Sequence, residues 1–194
     1  MSIRIGQFAH SSIHSPTLDA MYRFRHQVFV DRLNWDVPLA GAAGRETDDY
    51  DDEASHYIVA MLGSDCVGCW RARPTTGRYM LRDSFSVLLD EEDAPEDASI
   101  WELSRFAVKG GKENGYGFSS TTRQMFHEIH DFAKRHAIDH FVTVTSLAIE
   151  RMLRSAGVTC KRIGVPARMG AGMAVAIRLL PEELGRIGVA GTFD

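Results

Sequence analysis

The sequence predicts an α/β domain built on one mixed sheet. Strand-like and helix-like runs alternate along the chain, a long amphipathic helix lies between two apolar strand runs, and no apolar stretch approaches the ~20 residues that cross a bilayer. With 194 residues, 44% of them hydrophobic, the chain is large enough for one continuous core and small for two. Residues 1–194 therefore read as a single α/β/α domain.

Residues 2–8 alternate as a first strand. Ser15 reads as a helix cap with Pro16 in the first turn, and Leu18, Met21, Tyr22, Arg25, Val28 and Phe29 continue at helical spacing to about Asp31. Residues 32–54 hold Pro38, Gly41, Gly44 and an acidic run, and read as a long loop of the kind that is functional or disordered in a small domain. Two β-like runs, 56–61 and 66–71, are joined by Gly63-Ser64-Asp65, a hairpin signal. Pro74-Thr75-Thr76-Gly77 is a turn, and 90–97 an acidic connection. Residues 100–108 form a further strand, followed by a loop punctuated by Gly110, Gly111, Gly115 and Gly117. Met125, Phe126, Ile129, Phe132 and Ala133 make the apolar face of a helix over 119–136. A strand at 141–145, a short helix at 148–155 ended by Gly157, and strands at 158–163 and 173–179 complete the order. The run from 100 to 145 fits a right-handed βαβ unit.

Composition narrows the class. The N-terminus, MSIRIGQFAH, lacks an apolar signal core and a small-residue cleavage site, which points to the cytoplasm and away from a membrane. Cys66, Cys69 and Cys160 suit reduced, buried thiols; Cys66 and Cys69 spell a CxxC without the second pair that a metal site needs. The acids of 48–53 do not follow EF-hand spacing, and His127-Glu128-Ile129-His130 lacks the i, i+4 histidines of a zincin helix, so no metal is expected. The net charge of -4 divides unevenly: residues 1–100 hold 9 Arg, no Lys and 17 acids, and the remainder 13 basic residues and 9 acids. The halves thus carry -8 and +4. The C-terminal half could present a positive face to an acidic partner, or carry ordinary solvated charge. Nothing in the pattern calls for nucleic acid.

Trp101-Glu102-Leu103-Ser104-Arg105-Phe106 is the stretch richest in chemistry. On a regular strand Glu102, Ser104 and Phe106 share one face, and Trp101, Leu103 and Arg105 the other. A carboxylate in an apolar run is costly unless paired, and desolvation drives its pKa upward. Glu102 fits a general base, and from spacing alone it fits half of a structural Glu–Arg pair equally well.

The same hexapeptide resembles the signature strand of the acyl-homoserine-lactone synthases, also called autoinducer synthases. Arg25, Phe29 and Trp35 in RHQVFVDRLNW resemble the family's Arg-x-x-x-Phe-x-x-x-x-x-Trp entry, and Glu46-Thr47-Asp48-Asp49-Tyr50-Asp51 resembles its Glu-x-Asp-x-Tyr-Asp segment. Gly68-Cys69-Trp70-Arg71, then Pro74-Thr75-Thr76 and Tyr79-Met80-Leu81, resemble its arginine-bearing hairpin, with Phe85 at a matching distance. Val142-Thr143-Val144-Thr145-Ser146 and Glu150-Arg151 resemble the segment beside its acyl tunnel. The matches run in order from about residue 22 to 164. Ala72-Arg73 departs from the family, which often has two leucines there.

The resemblance implies a GNAT-like acyltransferase fold and a two-step reaction, in which the amine of S-adenosylmethionine is acylated by an acyl-acyl-carrier-protein thioester and the methionine carboxylate then closes a lactone, releasing methylthioadenosine. Acyl-CoA is also possible as donor; S-adenosylmethionine is a substrate, and no cofactor is expected. It implies Glu102 as base, with Ser104 and Arg105 beside it and strand N–H groups of 104–106 for the thioester oxygen. Phe29 and Trp35 would surround the sulfonium and purine, Arg25 would meet the substrate carboxylate, and Asp48, Asp51 and Arg71 would touch substrate or pin the long loop by ion pairs. Phe85, Phe106, Thr143, Thr145, Ile149, Met152 and Leu153 would line the acyl pocket. Lys109, Lys134, Arg151, Arg154, Lys161 and Arg162 would dock an acidic carrier protein, and Lys112-x-x-Gly115-x-Gly117 resembles the GNAT phosphate loop. Two other classes stay open at this point. A generic GNAT enzyme using acyl-CoA would release no methylthioadenosine, and a non-catalytic acyl- or nucleotide-binding module would have little use for a charged strand residue such as Glu102.

Overall fold

The computed structural model describes residues 2–35, 40–41, 44–89, 93–110, 118–170 and 172–187. The Lys112–Gly117 loop lies outside them. The chain divides into two compact units, residues 1–72 with 105–128, and residues 73–104 with 129–194.

In the first unit, β1 (Ile3–Ala9) pairs antiparallel with β4 (His56–Leu62), and β4 with β5 (Asp65–Pro74). Helix α1 (Ser15–Arg25) passes directly into a π-helical segment, His26–Arg32, so the single helix expected to Asp31 has two geometries. Ser15 is not its cap. His14 holds the extended cap position, and its carbonyl accepts from the Thr17 and Leu18 N–H groups. Pro16, with no N–H to satisfy, sits in the first turn. The wider π turn, closed by Leu33 N–H donating to the Val28 carbonyl at 3.0 Å, keeps Val28 and Phe29 as buried as Arg25. Asn34, at φ +52°, ends it in a conformation that asparagine tolerates better than most residues.

The long loop expected after the helix carries a small antiparallel pair, β2 (Ala40–Gly41) and β3 (Arg45–Glu46). Strand β5 is buried from Cys66 to Arg73, which is why its sequence shows no clean alternation. A Cβ at Gly68 would stand 2.6 Å from the Met125 sulfur and 3.2 Å from the Ala60 Cβ, so the glycine leaves the room that the Met125 side chain occupies against the strand. The core of this unit gathers Met21, Phe24, Val28, Phe29, Tyr57, Val59, Cys66 and Cys69.

The second unit contains most of β6 (Ile100–Val108), whose Ile100–Leu103 segment runs parallel to His140–Thr143 of β7 (His140–Ser146). Helix α3 (Ser120–Arg135) makes the crossover, as expected, and all five apolar residues read for its inner face are buried. After α4 (Leu147–Ser155), β10 (Gly172–Leu179) pairs antiparallel with β7, and β8 (Lys161–Arg162) and β9 (Ala167–Met169) both pair with β10. Most of the strand expected at 158–163 is therefore irregular, with only Lys161–Arg162 pairing. Two short helices, α2 (Met80–Asp83) and α5 (Pro181–Arg186), went unread in the sequence. The mixed α/β class holds.

Candidate active site

Six charged side chains meet in the first unit, three guanidiniums and three carboxylates. Arg25 uses all three of its nitrogens: Nε donates to Glu46 Oε2 at 2.5 Å, Nη1 to Asp51 Oδ1 at 2.7 Å and Nη2 to Asp51 Oδ2 at 3.0 Å. Arg71 forks onto Asp48 at 2.5 and 3.0 Å and reaches Asp51 at 3.1 Å. Arg105 bridges Glu46 at 3.0 Å and Asp48 at 2.7 Å. The Tyr57 hydroxyl donates to Asp51 at 3.0 Å, and the Asp48 N–H donates to Asp51 at 2.9 Å.

The six come from five segments: Arg25 from α1, Glu46 from β3, Asp48 and Asp51 from the loop behind it, Arg71 from β5 and Arg105 from β6. Equal numbers of opposite charges let so polar a cluster be buried. Burial alone would raise the Asp51 carboxyl, but Arg25 and Arg71 outweigh it and hold the group well below the usual carboxylate range; Asp48 is lowered likewise by Arg71 and Arg105 against its burial. Burial pushes the Tyr22 hydroxyl, hydrogen-bonded to Tyr57, up to about 12.

Of the two expectations for Asp48, Asp51 and Arg71, the ion pairs are what this structure displays. Arg25 is 1% exposed, whereas the Asp48 and Arg105 side chains reach the surface at 17% and 7%. The cluster's open edge is thus Asp48 with Arg105. Phe29 and Trp35 stack beside it with ring centroids 4.8 Å apart, and the Arg105 guanidinium lies 5.7 Å from the first ring and 5.9 Å from the second. This aromatic pair already hosts a cation.

Arg105 has φ +56°, a left-handed conformation in the middle of a strand. For a residue with a Cβ that is strain, tolerated where the surroundings impose it. It also breaks the two-residue alternation, so the face assigned to Arg105 from the sequence does not follow from strand geometry. Here the ion pairs to Glu46 and Asp48 fix its direction.

In the second unit, Glu102 is 2% exposed and accepts from the Met80 N–H at 2.9 Å and the Leu81 N–H at 2.6 Å. These are the first N–H groups of α2, which have no partner within so short a helix. Glu102 caps α2 across 22 positions of sequence. Ser104, on the same strand, is half-buried.

The residues read as one acyl pocket fall in different places. Phe85 packs on a core of Tyr79, Leu81, Leu88, Val142 and Ala176, joined by Val144. Strand alternation puts Thr143 and Thr145, both half-buried, on the opposite face of β7. Phe106 belongs to an aromatic cluster in the first unit, stacked on Phe126 at 5.9 Å and tilted against Trp70 at 4.6 Å. Leu153 is buried, but Ile149 and Met152 are each 38% exposed on α4, which takes them out of a buried slot. Of the basic residues, Lys109, Lys134, Arg151 and Lys161 are exposed, while Arg154 and Arg162 are half exposed and share the buried Glu150. Arg73, where the family often has leucine, is buried at 3% and donates to the Arg78 carbonyl at 3.1 Å.

Sequence reasoning did not carry over Glu46, although it opens the quoted acidic segment. It also passed over Tyr57, a buried hydroxyl inside an apolar strand, and the role of Glu150.

The autoinducer synthase family model matches residues 9–186. The chain belongs to the autoinducer synthase family. An acyl-homoserine-lactone synthase of Vibrio anguillarum is 37% identical over 193 residues, spanning 97% of this chain and 99% of that one. The crystal structure of the AHL synthase LasI has a TM-score of 0.82 and 31% identity, covering 100% of this chain and 97% of that chain. BjaI, a CoA-dependent acyl-homoserine lactone synthase solved with MTA and with SAM and isopentyl-CoA, has a TM-score of 0.85 and 25% identity, covering 96% of this chain and 88% of that one. This autoinducer synthase is accordingly an acyltransferase with the GNAT-like fold, and its product class serves quorum sensing. No described helix is long and apolar enough to cross a membrane.

Proposed function

We propose that this chain acylates the amine of S-adenosylmethionine from an acyl-acyl-carrier-protein and closes the product to an N-acyl-homoserine lactone, without a cofactor. The observation that carries the reading is the open edge of the charged cluster: a carboxylate, a guanidinium and a stacked aromatic pair side by side. A sulfonium amino acid bearing a purine asks for that set. The rings hold the cation and the base, and the Arg105 guanidinium donates to the substrate carboxylate. Arg25, all of whose nitrogens are engaged with Glu46 and Asp51, orders those two carboxylates instead of touching substrate.

Glu102 takes a proton from the substrate ammonium, directly or through water, and the neutral amine nitrogen bonds to the thioester carbon. The carbon–sulfur bond of the thioester breaks, the departing sulfur takes up the amine's second proton, and the amide forms. The substrate carboxylate then attacks its own γ-carbon; the carbon–sulfur bond breaks, methylthioadenosine departs, and the ring closes. The left-handed turn at Arg105 interrupts the regular strand, which suits N–H groups of 104–106 to the thioester oxygen as charge develops there. Leu153 with the Thr143 and Thr145 face lines the acyl chain.

The carrier protein is favoured as donor by the basic residues of α4 and β8; BjaI shows that a relative can depend on CoA. The test is to incubate the protein with S-adenosylmethionine and one acyl group on either carrier protein or CoA, and to read lactone and methylthioadenosine by mass spectrometry. Both products should appear, faster from the carrier. Acylated amine without methylthioadenosine would overturn the reading in favour of a simple N-acyltransferase.

A further inference from the structure

Strand β5 contains a buried cation that the reaction does not use. Arg73 is 3% exposed and stands where the family often has leucine. Strands β5 and β6 are neighbours in the sheet. The Thr75 N–H donates to the Ile100 carbonyl at 3.1 Å, and the Lys109 N–H to the Val67 carbonyl at 2.8 Å, so the two strands run antiparallel. Continued from Thr75 and Ile100, that register sets Arg73 directly opposite Glu102. Directly opposed residues point to one face of a sheet, with Cβ atoms about 4.5–5.5 Å apart.

The two side chains also hold one segment. Arg73 Nε donates to the Arg78 carbonyl at 3.1 Å, and Glu102 accepts from the Met80 and Leu81 N–H groups. A guanidinium and a carboxylate, both out of water, thus converge on residues 78–81. Burying either charge alone costs far more than burying the two together.

The other charged and titratable groups of this neighbourhood have different commitments. Asp83 of α2 meets Arg78 at 3.4 Å and Arg82 at 3.2 Å, and Arg82 reaches Glu96 at 3.7 Å. The Tyr79 hydroxyl donates to the Pro95 carbonyl at 2.6 Å, and burial pushes it up to about 12, so it is neutral across the working range. Arg71 of β5 is bound to Asp48 and Asp51. On β7 the residue beside Glu102 is Val142, with His140 beside Ile100, and Arg178 of β10 lies beyond Val142, one strand further away. Arg73 is the cation that shares both the register and the anchoring segment of Glu102.

We propose that Arg73 is a positioning residue for Glu102, a buried guanidinium that keeps the carboxylate ionised and aligned for the substrate ammonium. The proposal rests on the reading of Glu102 as base. An adjacent opposite charge favours the ionised carboxylate. Arginine at this position therefore lets the enzyme keep a working base at lower pH than leucine would.

Arg73→Leu, Arg73→Gln and Arg73→Lys are compared with wild type by methylthioadenosine release at saturating S-adenosylmethionine and acyl thioester, between about pH 5 and pH 9. The acid limb of kcat should move up by about one to three pH units in Arg73→Leu and Arg73→Gln. Glutamine keeps a donor for the Arg78 carbonyl, so its shift reports charge. Arg73→Lys keeps the charge and should hold the limb near its wild-type position. A merely structural role would lower the whole profile and leave the limb in place, and that outcome would overturn the proposal.

A second readout does not depend on turnover. Arg73→Leu should lower the denaturation midpoint, and adding Glu102→Gln should return part of the loss, because no buried anion is then left without its cation. Simply additive losses would overturn the proposal and leave Glu102 its role as base. Recovery in the double variant, with an acid limb that moves in none of the single variants, would defeat the base reading and the proposal with it. Should Arg73→Leu not fold, Arg73→Gln carries both readouts.

Discussion

Arg25 and Asp51 face each other as a two-bond fork, 2.7 and 3.0 Å long, with both side chains at most 2% exposed. Around this pair the loop carrying Asp48 and Asp51 is fastened to α1 and β5. Removing one partner strands the others. Arg25→Met leaves Glu46 and Asp51 short of a cation in the interior and should cost about 3–5 kcal/mol of stability. Arg25→Lys keeps the charge without the fork and should cost less. Chemical denaturation of the two variants against wild type measures the difference.

The depressed carboxyls make stability fall in acid. A group whose pKa is lower folded than unfolded contributes its stability fully above the unfolded value, about 3.9 for Asp, and loses it as pH drops toward the folded value. Asp51 and Asp48 are both lowered by their arginines. Unfolding free energy should therefore stay level in the neutral range and decline below about pH 4. Asp51→Asn should be less stable at pH 7 and show a shallower acid decline. Denaturant titrations at several pH values test this, and equal slopes for variant and wild type would count against it.

The three cysteines should be chemically silent in the folded protein. Cys66, Cys69 and Cys160 are buried and free, and burial pushes the Cys66 thiol up to about 12 and raises the other two. Since the thiolate is the reactive form, an aromatic disulfide reagent at pH 8 should label all three only after denaturant is added. Fast native labelling would contradict the buried placement.

Thr143 offers a hydroxyl from the half-buried face of β7. Thr143→Val keeps the shape and should cost about 0.5–1.5 kcal/mol, up to about tenfold, in the preference for 3-oxygenated over plain acyl chains of equal length. Competition between the two donors reads that ratio directly. An unchanged ratio would remove Thr143 from recognition of the 3-position.

What the sequence disclosed and what it hid divide along physical lines. The inner face of α3 was legible because sixteen residues repeat one period and their burial needs no knowledge of neighbours. The β4–β5 hairpin was legible from Gly63, whose φ of +64° suits a tight turn. Helix α2 was not, because four residues show no period and its start depends on Glu102, more than twenty positions away. The burial of Arg71 and Arg73 within β5 was hidden for the same reason: it rests on Asp48 and on the Arg78 carbonyl. Of the site residues, the motif carried Arg25, Asp48, Asp51 and Arg105 to one cluster, but it did not reveal that Arg25 is saturated and Arg105 is the accessible cation. Spacing could not place Ile149 and Met152 either, since a helical period marks a stripe without saying what covers it.

The central claim is that Glu102 deprotonates the amine that attacks the thioester. Its most direct test is methylthioadenosine release by Glu102→Gln, with Glu102→Asp in parallel and S-adenosylmethionine binding measured on each. The amide keeps one acceptor for the α2 N–H groups but cannot take a proton. Turnover should fall about 10²- to 10⁴-fold in a variant that still folds and binds S-adenosylmethionine, with melting lowered by the one buried N–H that loses its acceptor. A folded Glu102→Gln enzyme that still releases methylthioadenosine at a near-normal rate would contradict the account.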